Sequence, residues 1–202
     1  MIYNFKQENF NKFEVFEINK MRPRSYYIPF GSLDKMYDNT YLTERYNSDM
    51  VTILNGVWNI LYFDDCRKLE AEFDTQANTF KFSKIKVPGS IQYQGIEAPC
   101  YVNQRYEFKP NLPNVPKDSP VTLFHKLINL EKVTDNEVLT FLGVSSCLEL
   151  YINGEFVGYS EGSHNQAEFN VAQYLQNGEN EIVCLVYKWC NGSYLECQDM
   201  FR

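Results

Sequence analysis

The most constraining feature of this sequence is a hairpin pattern in its C-terminal half. Two mainly apolar runs, at 148–152 and 155–159, are separated only by the dipeptide Asn153-Gly154. Both central residues of a type I′ turn need positive φ angles, and Asn-Gly accepts these angles readily. The pattern therefore predicts an antiparallel β-hairpin.

Similar short runs recur along the chain from residue 51. They are rich in Val, Ile, Phe, Tyr and Trp, they end at turn signals, and none keeps a 3.6-residue period over three helical turns. The run at 181–189 is almost continuously apolar, which is typical of a strand covered on both faces. Together the runs predict an all-β fold, a jelly-roll β-sandwich with long loops. The predicted strands lie at 56–63, 122–127, 138–144, 148–152, 155–159 and 181–189.

The first fifty residues differ in character from the rest of the chain. They mix aromatic, charged and turn-forming residues without a sustained period, and Pro23 and Pro29 favour extended backbone at the residues before them. We predict an extended N-terminal arm over residues 1–50, packed on a jelly-roll domain of residues 51–202. A chain of 202 residues can bury roughly 70% of its unfolded surface, enough for one core.

The overall charge argues against nucleic acid as a partner. The chain has 19 Lys and Arg against 26 Asp and Glu, a net charge of −7, whereas binding to phosphates needs clustered cations. No apolar run approaches the ~20 residues that span a bilayer, so no membrane partner is predicted. The N-terminus also lacks the apolar block of an export signal, and we therefore expect a cytoplasmic location.

The cysteines and histidines do not form a recognisable site. The six cysteines include no CxxC pair, and with only two histidines they do not compose a zinc-ligand set, so reduced thiols are expected. His164 lies in a polar loop, and His125 lies within a predicted strand. We interpret the first as an exposed side chain and the second as a surface or satisfied one, because neither has a nucleophile nearby in the pattern.

Two loops carry the residue types that bind sugars. Residues 188–202 mix aromatic rings with amides and carboxylates, and residues 101–103 are similar in kind. Aromatic rings contact the apolar faces of sugars, while planar polar groups bind the hydroxyls. Glu196 and Asp199 are a carboxylate pair of the kind that glycoside hydrolysis needs, although a salt bridge or a solvated edge explains their spacing better. An ordinary loop packed by its aromatics explains the composition equally well.

Six motifs then occur in one order along the chain, at 24–30, 54–58, 87–95, 98–103, 151–163 and 189–202. In this order they resemble the N-terminal part of family 2 glycoside hydrolases. The pattern Gly-Ser-Tyr-Leu-Glu-x-Gln-Asp-Met at 192–200 resembles the β-galactosidase branch of that family in particular.

The resemblance implies a jelly-roll domain, called sugar-binding, that packs on a catalytic (β/α)8 barrel in the complete enzyme. It implies that the parent protein hydrolyses terminal non-reducing β-D-galactose residues in β-galactosides. Family members also continue past residue 202 with a further strand-forming segment, so an unpaired strand edge is expected here, and such an edge favours a homo-oligomer. The two catalytic glutamates of the family belong to the barrel and have no counterpart in this chain. The chain is therefore expected to contribute pocket loops and assembly contacts and to be inactive alone.

The resemblance also implies roles for individual residues. Asn103 falls where the family has an asparagine that reaches into the galactose subsite. Asp199 falls where an aspartate holds galactose hydroxyls and ligates sodium, roles that suit a carboxylate. A magnesium site in some members uses an amide at the position of Glu161 and an aspartate at that of Asn191. This chain exchanges acid and amide between the two positions, so a magnesium site here would have one carboxylate.

Two other functions are compatible with the same residues. A free-standing carbohydrate-binding module would need only the aromatic loops, and it would bind galactose or lactose without a partner. An assembly subunit would instead pair with a separately encoded catalytic chain. Calorimetry with these sugars tests the first alternative, and co-purification with a barrel-containing partner tests the second.

Overall fold

A computed structural model of the chain describes residues 1–38, 45–77, 81–100 and 106–196. None of the helices in these ranges is long and apolar enough to cross a membrane. The strands and α-helices of these ranges, in chain order, are β1 (Ile2–Asn4), β2 (Glu17–Ile18), α1 (Leu33–Tyr37), β3 (Gly56–Phe63), β4 (Glu72–Asp74), β5 (Ser83–Val87), β6 (Val121–Leu130), β7 (Val138–Phe141), β8 (Cys147–Ile152), β9 (Glu155–Glu161), β10 (Ala167–Asn170), β11 (Gly178–Tyr187) and α2 (Ser193–Glu196).

Antiparallel pairing organises the described strands into one large sheet and two small ones. The large sheet has the order β2-β9-β8-β11-β6-β3-β5, and the small sheets are β1 with β4 and β10 with β7. Side chains of β1 and β4 share a core with one face of the large sheet, and side chains of β7 and β10 share a core with the other. This arrangement confirms the predicted all-β, jelly-roll sandwich.

The predicted hairpin forms between β8 and β9. Asn153 and Gly154 have φ angles of 52° and 88°, as a type I′ turn requires. The Asn153 side chain also donates to the Tyr174 carbonyl oxygen at 2.8 Å and accepts from the Glu181 backbone nitrogen at 2.9 Å. The same residue therefore makes the turn and ties it to β11.

The central strands β8 and β11 have side chains buried on both sides of the sheet. On one face Tyr151 and Val183 pack in a cluster with aromatic residues of the N-terminal segment. On the other face Leu150 and Ile182 pack with Phe169 of β10. The nearly continuous apolar run of β11 follows from this double cover, which confirms the expectation for that strand.

The first twenty residues contribute directly to the core. Tyr3, Phe5 and Phe10 have exposed fractions of 0%, 6% and 3%. Burying each of these rings stabilises the fold by about 2 kcal/mol. In addition, β1 pairs with β4 and β2 pairs with β9. The arm predicted for residues 1–50 thus includes two strands and part of the core, and its boundary with the following domain stays a prediction.

A buried carboxylate lies beneath this segment. Glu149, in β8, is fully buried and accepts hydrogen bonds from the Asn9 amide at 3.1 Å and the Tyr151 hydroxyl at 3.0 Å. The Tyr151 oxygen in turn accepts from the Lys6 backbone nitrogen at 2.8 Å. Burial raises the pKa of Glu149, although its hydrogen bonds oppose the shift. The N-terminal segment is therefore held by polar contacts as well as by aromatic packing.

Glu149→Gln should change how the stability of the chain depends on pH. Because the folded pKa of Glu149 is raised, its contribution to stability is present at low pH and is lost as pH rises through the folded pKa. The free energy of unfolding of Glu149→Gln minus that of the wild type should therefore increase between pH 4 and 7. The increase should be about 1.4 kcal/mol for each unit by which folding raises the pKa.

Urea denaturation at several pH values measures this difference. Glu155→Gln, which removes an exposed carboxylate at the start of β9, is the matched control for the loss of one glutamate. A difference between Glu149→Gln and wild type that stays constant with pH would contradict the account of Glu149.

Candidate functional site

The two residues that the resemblance assigns to the sugar, Asn103 and Asp199, lie outside the described residues. Their described neighbours are the chain that follows residue 105 and the chain that precedes residue 197. The first leads into the long loop before β6. The second contains the end of β11 and the short helix α2.

An aromatic cluster joins these two stretches of chain. Phe108 makes edge contacts with Trp189 and Tyr194 at ring-centroid separations of 5.2 and 5.8 Å. Tyr106 stacks on Phe108 at 5.5 Å, and its hydroxyl lies 3.4 Å from the Tyr194 carbonyl oxygen. Each such ring pair contributes about 0.5–1.5 kcal/mol beyond area burial. The start of one loop is therefore fastened to the start of the other.

An ion-pair network lies beside the aromatic cluster. Lys188 Nζ is 2.9 Å from Glu97 Oε1 and 2.6 Å from Glu107 Oε2. The Tyr62 hydroxyl and the Gln92 amide also donate to Glu97, at 3.0 and 2.6 Å. Burial alone would raise the pKa of Glu97, but Lys188 and the other donors outweigh burial and lower it. Burial likewise opposes the charge of Lys188, while the two carboxylates raise its pKa.

Glu196, at the end of α2, has a structural partner. Its carboxylate accepts hydrogen bonds from the backbone nitrogen and the hydroxyl of Ser163, the second at 2.7 Å. These hydrogen bonds give the Glu196 carboxylate a structural role, in agreement with the structural interpretation from the sequence. Ser163 is a neutral partner in the loop after β9 and not the cation of a salt bridge, and the other carboxylate of the pair, Asp199, lies outside the described residues.

The exchanged pair Glu161 and Asn191 also lies in the described part of the chain. Glu161 accepts from the Tyr159 hydroxyl at 2.7 Å and from the Gly192 backbone nitrogen at 3.1 Å. Burial raises the pKa of Glu161, although these hydrogen bonds oppose the shift. Asn191 is only 8% exposed, and its side-chain oxygen and nitrogen are buried without a hydrogen-bond partner among the described residues.

The unpartnered amide of Asn191 bears on the predicted magnesium site. A buried amide without partners is costly, and its oxygen is the kind of ligand that Mg²⁺ takes together with carboxylates and water. The described residues contain no group of three or more His, Cys, Asp and Glu side chains that could hold a metal ion. A cation at Glu161 and Asn191 would therefore keep several water ligands.

The histidines take no part in this region. His125 is buried between Asn59 and Glu181, with distances of 2.8 and 2.7 Å from its two ring nitrogens, so it is a satisfied group of the sheet. His164 is exposed. Both observations agree with the interpretation from the sequence.

Sequence reasoning missed the network around Lys188. Its members come from three parts of the chain, and Lys188 and Glu97 are 91 positions apart. The available signal was weak: an acidic residue on either side of the 101–103 motif, and a lysine near the end of the apolar run predicted as a strand at 181–189.

Comparison with known proteins identifies the family. Residues 51–202 match the sequence model described as "Glycosyl hydrolases family 2, sugar binding domain". The chain belongs to glycoside hydrolase family 2. The resemblance predicted from the six motifs is thereby confirmed.

Several relatives of this family 2 domain are named β-galactosidase. That of Actinobacillus pleuropneumoniae is 38% identical over 185 residues, 92% of this chain and 18% of its own length. That of Staphylococcus xylosus is 35% identical over 199 residues, 98% of this chain and 19% of its own length. That of Leuconostoc mesenteroides is 41% identical over 155 residues, 74% of this chain and 15% of its own length. This chain thus spans less than a fifth of each of these relatives.

Among solved structures, the β-glucuronidase of Bifidobacterium dentium, complexed with coumarin-3-O-glucuronide, matches with a TM-score of 0.47. The sequence identity is 20%, and the match covers 66% of this chain and 19% of that chain.

Proposed function

We propose that this chain is the sugar-binding domain of a larger β-galactosidase, where it forms one wall of the galactose pocket. The observation that carries the proposal is the similarity to proteins named β-galactosidase, at 35–38% identity over 92–98% of the chain. The aromatic cluster supports it, because it joins the start of the loop after residue 105 to the chain before residue 197. Residues on these two loops can then act on one ligand.

Within this function, two side chains of the chain contact the sugar. The Asp199 carboxylate accepts hydrogen bonds from galactose hydroxyls, and the Asn103 amide can both donate and accept. Together they orient the ring but do not cleave the glycosidic bond. Cleavage needs one carboxyl group to protonate the leaving oxygen and a second to attack or to activate water. We assign both groups to the catalytic barrel, because this chain spans less than a fifth of the β-galactosidases that it matches and because Glu196 already bonds to Ser163.

Two cations belong to the proposal. Asp199 is the ligand of a sodium ion beside the sugar, since a carboxylate is a hard ligand suited to an alkali cation. Glu161 and Asn191 are ligands of a magnesium ion, which neutralises the half-buried carboxylate of Glu161 and binds the unpartnered amide oxygen of Asn191. This second ion would stabilise the chain between the end of β9 and the start of α2.

Asp199→Ala in the complete enzyme should lower kcat/KM for a chromogenic β-galactoside by about 10- to 150-fold. This range corresponds to the loss of hydrogen bonds to a charged group, about 1.5–3 kcal/mol. Asp118→Ala, which removes an exposed aspartate before β6, is the control and should keep kcat/KM within about twofold. If Asp199→Ala kept full activity, or unfolded at assay temperature, Asp199 would not be the sugar contact that we propose.

Mg²⁺ should raise the melting temperature of the isolated chain, because a ligand that binds only the folded state stabilises it. The rise should be about 2–4 °C for each kcal/mol of binding free energy that is coupled to folding. Glu161→Gln should abolish the rise, and Asn191→Asp should enlarge it by adding a carboxylate. Glu179→Gln, at an exposed position of β11, is the control. An unchanged melting temperature in millimolar Mg²⁺ would overturn the magnesium assignment.

A further inference from the structure

We propose that Lys188 is a positioning residue for the sugar site, in which its ammonium group ties together the two ends of the segment that carries Asn103. This inference rests on the proposed function and deepens it, because it names the group that orients one wall of the pocket. Lys188 follows the last residue of β11, and Glu97 and Glu107 stand on either side of residues 101–105.

The geometry of the three charged groups is that of a clamp. A single nitrogen atom, Lys188 Nζ, forms ion pairs with the Glu97 carboxylate at 2.9 Å and with the Glu107 carboxylate at 2.6 Å. The two carboxylates are therefore held close together by one ammonium group. The side chains are largely shielded from water, with exposed fractions of 22% for Lys188, 10% for Glu97 and 22% for Glu107. Shielding of this degree weakens screening by salt and makes such contacts stronger than exposed ion pairs.

Each end of the clamp is anchored in ordered structure. Glu97 also accepts hydrogen bonds from Tyr62 of β3 and from Gln92. On the other side, residues 106 and 108 belong to the aromatic cluster with Trp189 and Tyr194. Glu97 and Glu107 are therefore joined by one charged contact, and they are fixed relative to β3 and to the chain that precedes residue 197.

The two negative charges of Glu97 and Glu107 require a positive charge at position 188. Without the ammonium group, two partly buried carboxylates would face each other, and their repulsion would separate the ends of the segment.

Lys188→Met keeps most of the apolar stem, so it removes the charge with little loss of packing. Lys188→Arg keeps the charge and offers a planar fork that can bond two carboxylates, so it should restore the clamp in part.

Hydrogen exchange in the chain itself tests the clamp without reference to activity. Lys188→Met should speed amide exchange in peptides covering residues 92–110 by at least tenfold, with no change in β8, while Lys188→Arg should stay within about threefold of wild type. Lys132→Met, at an exposed lysine after β6, is the matched control. Unchanged exchange at 92–110 in Lys188→Met would overturn the clamp.

Glu107→Gln gives a second test that does not depend on the folding of Lys188→Met. It removes one carboxylate but leaves the contact between Lys188 and Glu97. Amide exchange should therefore speed up more in peptides next to residue 107 than in peptides next to residue 97. Equal exchange to wild type on both sides would also overturn the clamp.

Steady-state kinetics of the complete enzyme then test the link to the sugar. Lys188→Met should raise KM for a chromogenic β-galactoside at least tenfold with a smaller change in kcat, and Lys188→Arg should recover most of the affinity. Faster exchange with an unchanged KM would overturn the positioning role. Failure of the proposed function is distinguishable, because Asp199→Ala would then keep full activity whatever the exchange results.

Discussion

Burial of the central strands β8 and β11 on both faces is the constraint on which the rest of the structure depends. A strand that is apolar on both sides needs a cover above and below the sheet, and two separate parts of this chain supply the covers. The first residues of the chain provide one cover through Tyr3, Phe5 and Phe10. The strands β7 and β10 provide the other. Long-range packing of this kind fixes where β11 ends, and β11 leads directly into the candidate site.

The site region is built outward from that strand end. Lys188 and Trp189 directly follow β11, and one contacts Glu97 and Glu107 while the other contacts Phe108. Charge and aromatic packing thus act at adjacent positions on the same loop. The segment around residues 97–108 and the chain after β11, which are distant in sequence, are thereby held side by side. A pocket formed by loops needs such an arrangement. The cation proposed at Glu161 and Asn191 lies between the end of β9 and α2.

The parts of the structure that local sequence determines could be predicted. Asn153-Gly154 forms its turn because few dipeptides tolerate two positive φ angles, and the C-terminal part of β11 could be predicted because residues 182–187 are all apolar. The role of the N-terminal segment was less evident, since β1 pairs with β4 some seventy residues away and no local period marks such a strand. The Lys188 contacts were missed for the same reason. Glu196 could be interpreted as structural, but its partner Ser163 depends on how two loops meet.

The central claim is that this chain supplies a wall of the sugar pocket and that the carboxyl groups that cleave the bond come from other polypeptide. Turnover of a chromogenic β-galactoside by the purified chain, alone and together with a polypeptide that carries the catalytic barrel, tests the claim most directly. We expect no turnover above background from the chain alone and turnover once the barrel is present. The account would be contradicted if the chain alone hydrolysed the substrate, if this activity co-purified with the chain, and if Glu196→Gln abolished it.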